Sequence, residues 1–240
     1  YMEAAGMGCD FVGHPVVSEP LATEAELLAW RAEAGIEADA PLIMVLPGSR
    51  RSEVEKLAPI FGEALGPVLK AVPDARVVIP AAPAVASLVA DKTGNWPGNP
   101  ILLDPRDVPP ETFAAQKRAA FGAADVALAA SGTVSLELAA TATPMVIAYD
   151  MSWLSRTLIS TLLKVDTVTL VNMVSDSRVV PEFLGQNCKP AAIAGALTKL
   201  LTDTDARRDQ LDAAALTMQR LGKGGEAPGQ RATRAVMAVI

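Results

Sequence analysis

The chain has 240 residues, of which 50% are hydrophobic and only 4% aromatic, and its formal net charge is -6. That length buries a substantial core in one large domain or two small ones, and the acidic balance argues against a binder of nucleic-acid backbones. Its two cysteines, Cys9 and Cys188, stand far apart, and His14 is the single histidine, which argues against a structural zinc site and makes a reducing compartment the natural setting.

The first residues, Tyr1 to Met7, read as the middle of a helix and its exit, giving the expectation that the chain starts partway through a longer protein. No signal peptide and no run of transmembrane length is visible. Cys9 to Val12 reads as a short strand ended by Gly13-His14-Pro15. Thr23 to Gly35 has helical spacing, with Thr23 as N-cap. Pro41 to Leu46 is a continuous apolar run of the buried parallel-strand kind, broken by Pro47-Gly48-Ser49-Arg50. Ser52 to Glu55 reads as a capping box opening a helix to about Ala71, in which Pro59 is tolerated only near the first turns.

The alternation continues with a strand from Ala75 to Ile79, a helix from Pro83 to Ala90 and a Gly/Pro/Asn loop from Thr93 to Pro100. Ile101 to Leu103 is a strand, Pro109 or Glu111 to Gly122 a helix, and Asp125 to Ala130 a strand leading into a helix from Thr133 to Ala140. Then come a strand from Pro144 to Ala148, a helix from Ser152 to Leu163 and a strand from Thr167 to Leu170. Beyond Asn172 the pattern is entirely helical: Pro181 to Leu184, Pro190 to Leu201, Asp203 to Leu221 and Ala227 to Ile240. Strands alternating with helices imply βαβ units, a parallel sheet and an α/β fold. Such sheets bind ligands at the carboxyl ends of their strands.

Three of those ends carry suggestive turns. At Ser131-Gly132-Thr133, a strand delivers small residues onto a helix N-terminus, where free amides and the helix dipole suit phosphate. Glu137 stands four residues after Thr133 on the same helix face, placed to accept hydrogen bonds from sugar hydroxyls. Phosphate plus diol suggests a nucleotide, and an N-capped helix with an acid near its start is the equally good alternative at this point. Gly48-Ser49-Arg50 offers close backbone approach and a guanidinium that forks onto phosphate oxygens. Asn172 and Arg178 follow the last expected strand, where they could reach a sugar or serve only as turn residues.

No G-x-G-x-x-G follows a strand, and the sequence contains neither G-x-x-x-x-G-K-[ST] nor G-x-S-x-G. His14 could act as a general base, but beside Pro15 it reads better as a hinge residue. Leu154, Leu158, Leu162 and Leu163, flanked by Arg156 and Lys164, make an apolar helix compatible with a membrane surface. A helix covering the sheet is the commoner explanation.

Taken together, Phe11 to Pro15, Leu46 to Val54, Ala130 to Glu137, Thr143 to Val146, and Asn172 with Arg178 to Phe183 resemble lipid-A-disaccharide synthase, in that family's order and over nearly the whole chain. The resemblance implies a Rossmann-like parallel sheet flanked by helices, the C-terminal, donor-binding half of a GT-B glycosyltransferase. It implies inverting, metal-independent transfer of 2,3-diacylglucosamine from UDP-2,3-diacylglucosamine to 2,3-diacylglucosamine 1-phosphate (lipid X), releasing UDP. No cofactor is expected. By the match, Gly48, Ser49, Arg50, Ser131, Gly132, Thr133 and Glu137 would hold UDP, with Asn172 and Arg178 near the donor sugar or its phosphates. The family's Pro-Asn-Leu-Leu-Ala-Gly-Arg type loop is replaced here by Val171 to Arg178, without its proline and glycine.

The implied partners are the two lipid substrates and the inner-membrane surface, on the cytoplasmic side, with no nucleic acid and a homodimer as one option. Residues 1-22 are expected to be the end of an N-terminal domain and a linker, 23-222 the UDP-sugar-binding domain, and 223-240 a helix packing back toward the N-terminal domain. The acceptor's general base is expected in that other domain, and no catalytic base is assigned in this chain. Another UDP-sugar enzyme of the same architecture, such as a cell-wall glycosyltransferase or a UDP-N-acetylglucosamine 2-epimerase, and a non-catalytic nucleotide-binding module are the alternatives.

Overall fold

The computed structural model describes residues 6–150 and 166–238. Within them, β1 (Leu42–Leu46), β2 (Arg76–Pro80), β3 (Ile101–Leu103), β4 (Val126–Ala130), β5 (Met145–Tyr149) and β6 (Glu182–Leu184) form one sheet. All neighbours pair in parallel, in the order β3-β2-β1-β4-β5-β6. That is the doubly wound, Rossmann-like order, as the α/β reading of the sequence expects. The helices are α1 (Glu24–Glu33), α2 (Arg51–Ala71), α3 (Ala86–Thr93), α4 (Pro110–Ala123), α5 (Val134–Ala140), α6 (Leu170–Ser175), α7 (Pro190–Thr202), α8 (Thr204–Arg220) and α9 (Pro228–Met237).

The apolar strands are continuous because both faces of the sheet are covered. On one face, Ile43 and Val45 of β1 pack with Val54, Leu57 and Phe61 of α2 and with Ile193 and Leu197 of α7. On the other, Leu42 and Met44 pack with Trp30 of α1, Ala120 and Phe121 of α4, Leu136 of α5 and Met218 of α8. Each large apolar side chain buried this way contributes about 1.5–3 kcal/mol. The same term explains α2, which continues through both Pro59 and Pro67. An internal proline costs ~3 kcal/mol, and the fully buried row Val54, Leu57, Phe61, Leu65 and Val68 outweighs it.

A polar staple fixes the amino ends of the two central strands. Arg31 donates to the carbonyls of Ala40 (2.9 Å) and Ala123 (2.9 Å) and to Asp125 Oδ2 (3.2 Å), which also accepts the Leu42 amide at 2.9 Å. Arg207 donates to the Asp125 carbonyl at 2.9 Å. With β1 and β4 locked at this edge, their opposite ends are held in a fixed relation.

Several expectations are corrected. Residues 9–12 form no strand and are largely exposed. Residues 167–170 are not a strand either; the chain there leads into α6, and the last strand is β6, within a stretch expected to be helical. In the β-branched run Thr167-Val168-Thr169, the Thr167 hydroxyl and the amides of Val168 and Thr169 instead donate to the Glu182 carboxylate. Helix α2 opens at Arg51, and the acid that closes its first turn is Glu53 rather than Glu55, which pairs with Arg51 at 3.2 Å. The expected helix from Ser152 to Leu163, with its leucine and basic residues, lies outside the described residues.

The segment before α1 and the one after α8 meet. The His14 amide donates to the Leu221 carbonyl at 3.1 Å, Val16 is buried against the α4–α5 face of the sheet, and Arg231 of α9 donates to the Phe11 carbonyl at 2.5 Å. At the end of α9, Val236 and Met237 are exposed.

Candidate functional site

The strand order places a crevice between β1 and β4, because the chain winds outward from them in opposite directions. Ligands of open α/β sheets bind at this switch point, beyond the carboxyl ends of the strands. The register sets Leu46 beside Ala129, so the two exit turns, Pro47 to Arg50 and Ser131 to Thr133, emerge level with one another. Between them lies a hollow of about 440 Å³. Its lining brings together Gly48, Ser49, Arg50, Ser131, Gly132, Thr133 and Glu137, the seven residues taken from the first two turns and the acid behind them.

The two turns are unlike in their free donors. At the start of α5, no partner among the described residues is found for the amides of Gly132, Thr133 and Val134, while the Ser135 hydroxyl donates to the Gly132 carbonyl at 2.9 Å. At the β1 turn the amides of Ser49 and Arg50 already donate to Glu53 Oε2, at 3.0 and 3.2 Å. Bare amides therefore belong to the β4 turn. Arg50 brings its guanidinium to the hollow, with one arm on Glu53 Oε1 at 2.8 Å and the side chain 77% exposed.

Two residues of this wall are missed by sequence reasoning. Glu53 lies three residues after Arg50, a capping-box spacing hidden because arginine is a poor N-cap type. Lys117 of α4 donates to Glu137 Oε2 at 2.7 Å and sits 5.0 Å from the centre of the Phe121 ring. Only the fold brings Lys117 to Glu137; nothing in the spacing signals the pair. It neutralises an acid that would otherwise repel an anion nearby.

A second hollow of about 470 Å³ lies beside the first. It is lined by the segment from His14 to Leu21 and by α4 and α5, and it shares Lys117, Phe121, Thr133 and Glu137 with its neighbour. His14 borders it, with Nδ1 accepting the Val16 amide at 3.2 Å.

Asn172 and Arg178 line neither hollow. Asn172 sits inside α6 at 1% exposure, its Oδ1 accepting the Val180 amide (3.0 Å) and its Nδ2 donating to the Val180 carbonyl (2.9 Å). Arg178 pairs with Asp166, and this guanidinium holds the Asp166 carboxyl below its ordinary value. The nearby Glu182 is half-buried. Burial raises its pKa, but the hydroxyl of Thr167 and the groups of Thr169 and Val168 that bond the carboxylate outweigh this and lower it. Its amide donors are Thr169 at 2.8 Å and Val168 at 3.2 Å.

Among the described residues, no helix is long and apolar enough to cross a membrane, and no group of three or more Cys, His or carboxylate side chains could hold a metal ion.

The fold and the sequence have counterparts among known proteins. A neighbouring architecture is that of UDP-GlcNAc 2-epimerase from Neisseria meningitidis, solved bound to UDP-GlcNAc. It superposes with a TM-score of 0.57 at 15% identity, over 95% of this chain and 54% of that one; at that identity the likeness is one of fold. The lipid-A-disaccharide synthase of Ruegeria pomeroyi is 57% identical over 99% of this chain, and that of Rhodospirillum centenum is 43% identical over 100% of it. The chain spans 58% of the length of each of these two relatives. The family model described as lipid-A-disaccharide synthetase matches residues 1–235, and the chain belongs to that family.

Proposed function

We propose that this chain is the donor-binding half of a GT-B lipid-A-disaccharide synthase and holds UDP-2,3-diacylglucosamine by its nucleotide. The whole enzyme transfers 2,3-diacylglucosamine to 2,3-diacylglucosamine 1-phosphate (lipid X), giving lipid A disaccharide 1-phosphate and UDP. The observation that carries this reading is the meeting of seven residues from two separate turns on one hollow at the switch point. The diphosphate lies against the amides of Gly132 and Thr133 and the free arm of Arg50, and Glu137 accepts the ribose hydroxyls. The chemical contribution is electrostatic: preorganised donors stabilise the charge that develops on UDP as it departs.

The general base that takes the acceptor's proton belongs to the portion of the enzyme outside this chain, and residues 1-22 and 223-240 lead toward that portion. The reaction takes place at the cytoplasmic face of the inner membrane, where both lipids reside. Asn172 and Arg178 support the loop at the β5–β6 edge rather than touching the nucleotide. Isothermal titration of the chain with UDP tests the reading: saturable binding at one site is expected. Heats indistinguishable from dilution would sink it.

A further inference from the structure

Glu53 is 8% exposed and stands in the wall of the nucleotide hollow, where an acid is the least welcome neighbour for a diphosphate. Its carboxylate is fully engaged by the turn it faces. Oε2 accepts the amides of Ser49 and Arg50, and Oε1 accepts Arg50 Nη1. The contact is tight enough to dictate the residue opposite. Gly48 has φ +120, and a Cβ there would lie 2.5 Å from the Glu53 Cβ and 2.7 Å from Oε2. Turn and acid form one unit.

This arrangement has two physical effects. The Ser49 and Arg50 amides are consumed inside the protein, so an anion in the hollow meets the guanidinium rather than a nest of amides on this side. One arm of the Arg50 fork is pinned to a buried carboxylate, while the rest of the guanidinium remains exposed. A free arginine loses rotamer entropy when fixed; part of that ordering is already present here before a ligand arrives.

We propose that Glu53 is a positioning residue for diphosphate binding: it holds the Gly48–Arg50 turn shut and presents one arm of Arg50 to the phosphates of the nucleotide. This rests on the UDP reading of the hollow. The test titrates UDP and uridine into the wild-type chain, Glu53→Gln, Arg50→Ala and the double variant, each checked for folding by thermal unfolding. Glu53→Gln keeps an oxygen for the two amides but loses the ion pair. It weakens UDP on the order of tenfold and leaves uridine unchanged. In the Arg50→Ala background the same change adds nothing.

Glu53→Asp, which keeps the charge but withdraws the carboxylate by one methylene, gives the same pattern and covers failure of the first variant to fold. Unchanged UDP affinity overturns the proposal. So does equal weakening of UDP and uridine, which marks a merely structural role, or full additivity with Arg50→Ala. Wild-type binding of UDP no tighter than uridine is a separate result; it removes the diphosphate reading and this inference with it.

Discussion

Two polar regions at the carboxyl edge of the sheet use the same residue types to opposite ends. At the β1–β4 crevice, the amides of Gly132 and Thr133, most of Arg50, and Glu137 face an open hollow. At the β5–β6 edge, Asn172, Thr167, Thr169 and Glu182 spend their hydrogen bonds on one another and on Val180. A buried polar group without a partner costs about 1–3 kcal/mol. The closed edge meets most of that cost internally, with the Thr169 hydroxyl left without a partner among the described residues, whereas the crevice leaves its donors open to solvent. The presence of Asn, Arg and Glu in a motif therefore does not distinguish a binding site from a structural knot; the direction in which the donors point does.

The largest effect that would sharpen this contrast comes from Asn172→Ala. Losing the amide strands the Val180 amide and carbonyl in the interior, and urea denaturation is expected to show a stability loss of roughly 2–4 kcal/mol. UDP affinity of the folded fraction stays at the wild-type level. A variant with normal stability and impaired UDP binding would erase the distinction between the regions.

Arg50→Ala gives the converse result. Its ion pair is solvent-exposed on the arginine side and contributes about 0–1 kcal/mol to folding. Removing a charged donor to phosphate weakens UDP binding by about tenfold to a hundredfold. The check is calorimetry on this chain, with turnover measured in the full-length enzyme. Wild-type affinity and turnover would remove Arg50 from the site.

Glu182→Gln carries the smallest effect and a pH signature. The folded-state pKa of Glu182 lies below its ordinary 4.5. Its charged form therefore stabilises the protein fully above that value, and the contribution is lost as pH falls through the folded pKa. The variant is expected to be about 1 kcal/mol less stable than wild type at pH 7. The gap closes in acid, as thermal melts across pH 7 to pH 3 would record. A gap independent of pH would assign the effect to shape rather than charge.

Much of this was readable from the chain alone, for reasons tied to particular residues. The apolar runs at Leu42–Leu46 and Val126–Ala130 have the continuous character of buried parallel strands, and the turns that end them stand where a doubly wound sheet places ligands. The β5–β6 edge was not readable. Thr167-Val168-Thr169 has strand composition, but its groups are drawn to a carboxylate more than a dozen residues later, a tertiary demand that overrides local preference. Glu53 was obscured by an arginine at the N-cap position, and Lys117 by the 20 residues that separate it from Glu137.

The Lys117–Glu137 pair has one more consequence. The partition between the two hollows rests on these side chains with Phe121 and Thr133. Lys117 and Glu137 are each partly exposed and are joined to one another at 2.7 Å. The two chambers thus have one wall in common, and any occupant that displaced Glu137 from Lys117 would alter the boundary of both at once.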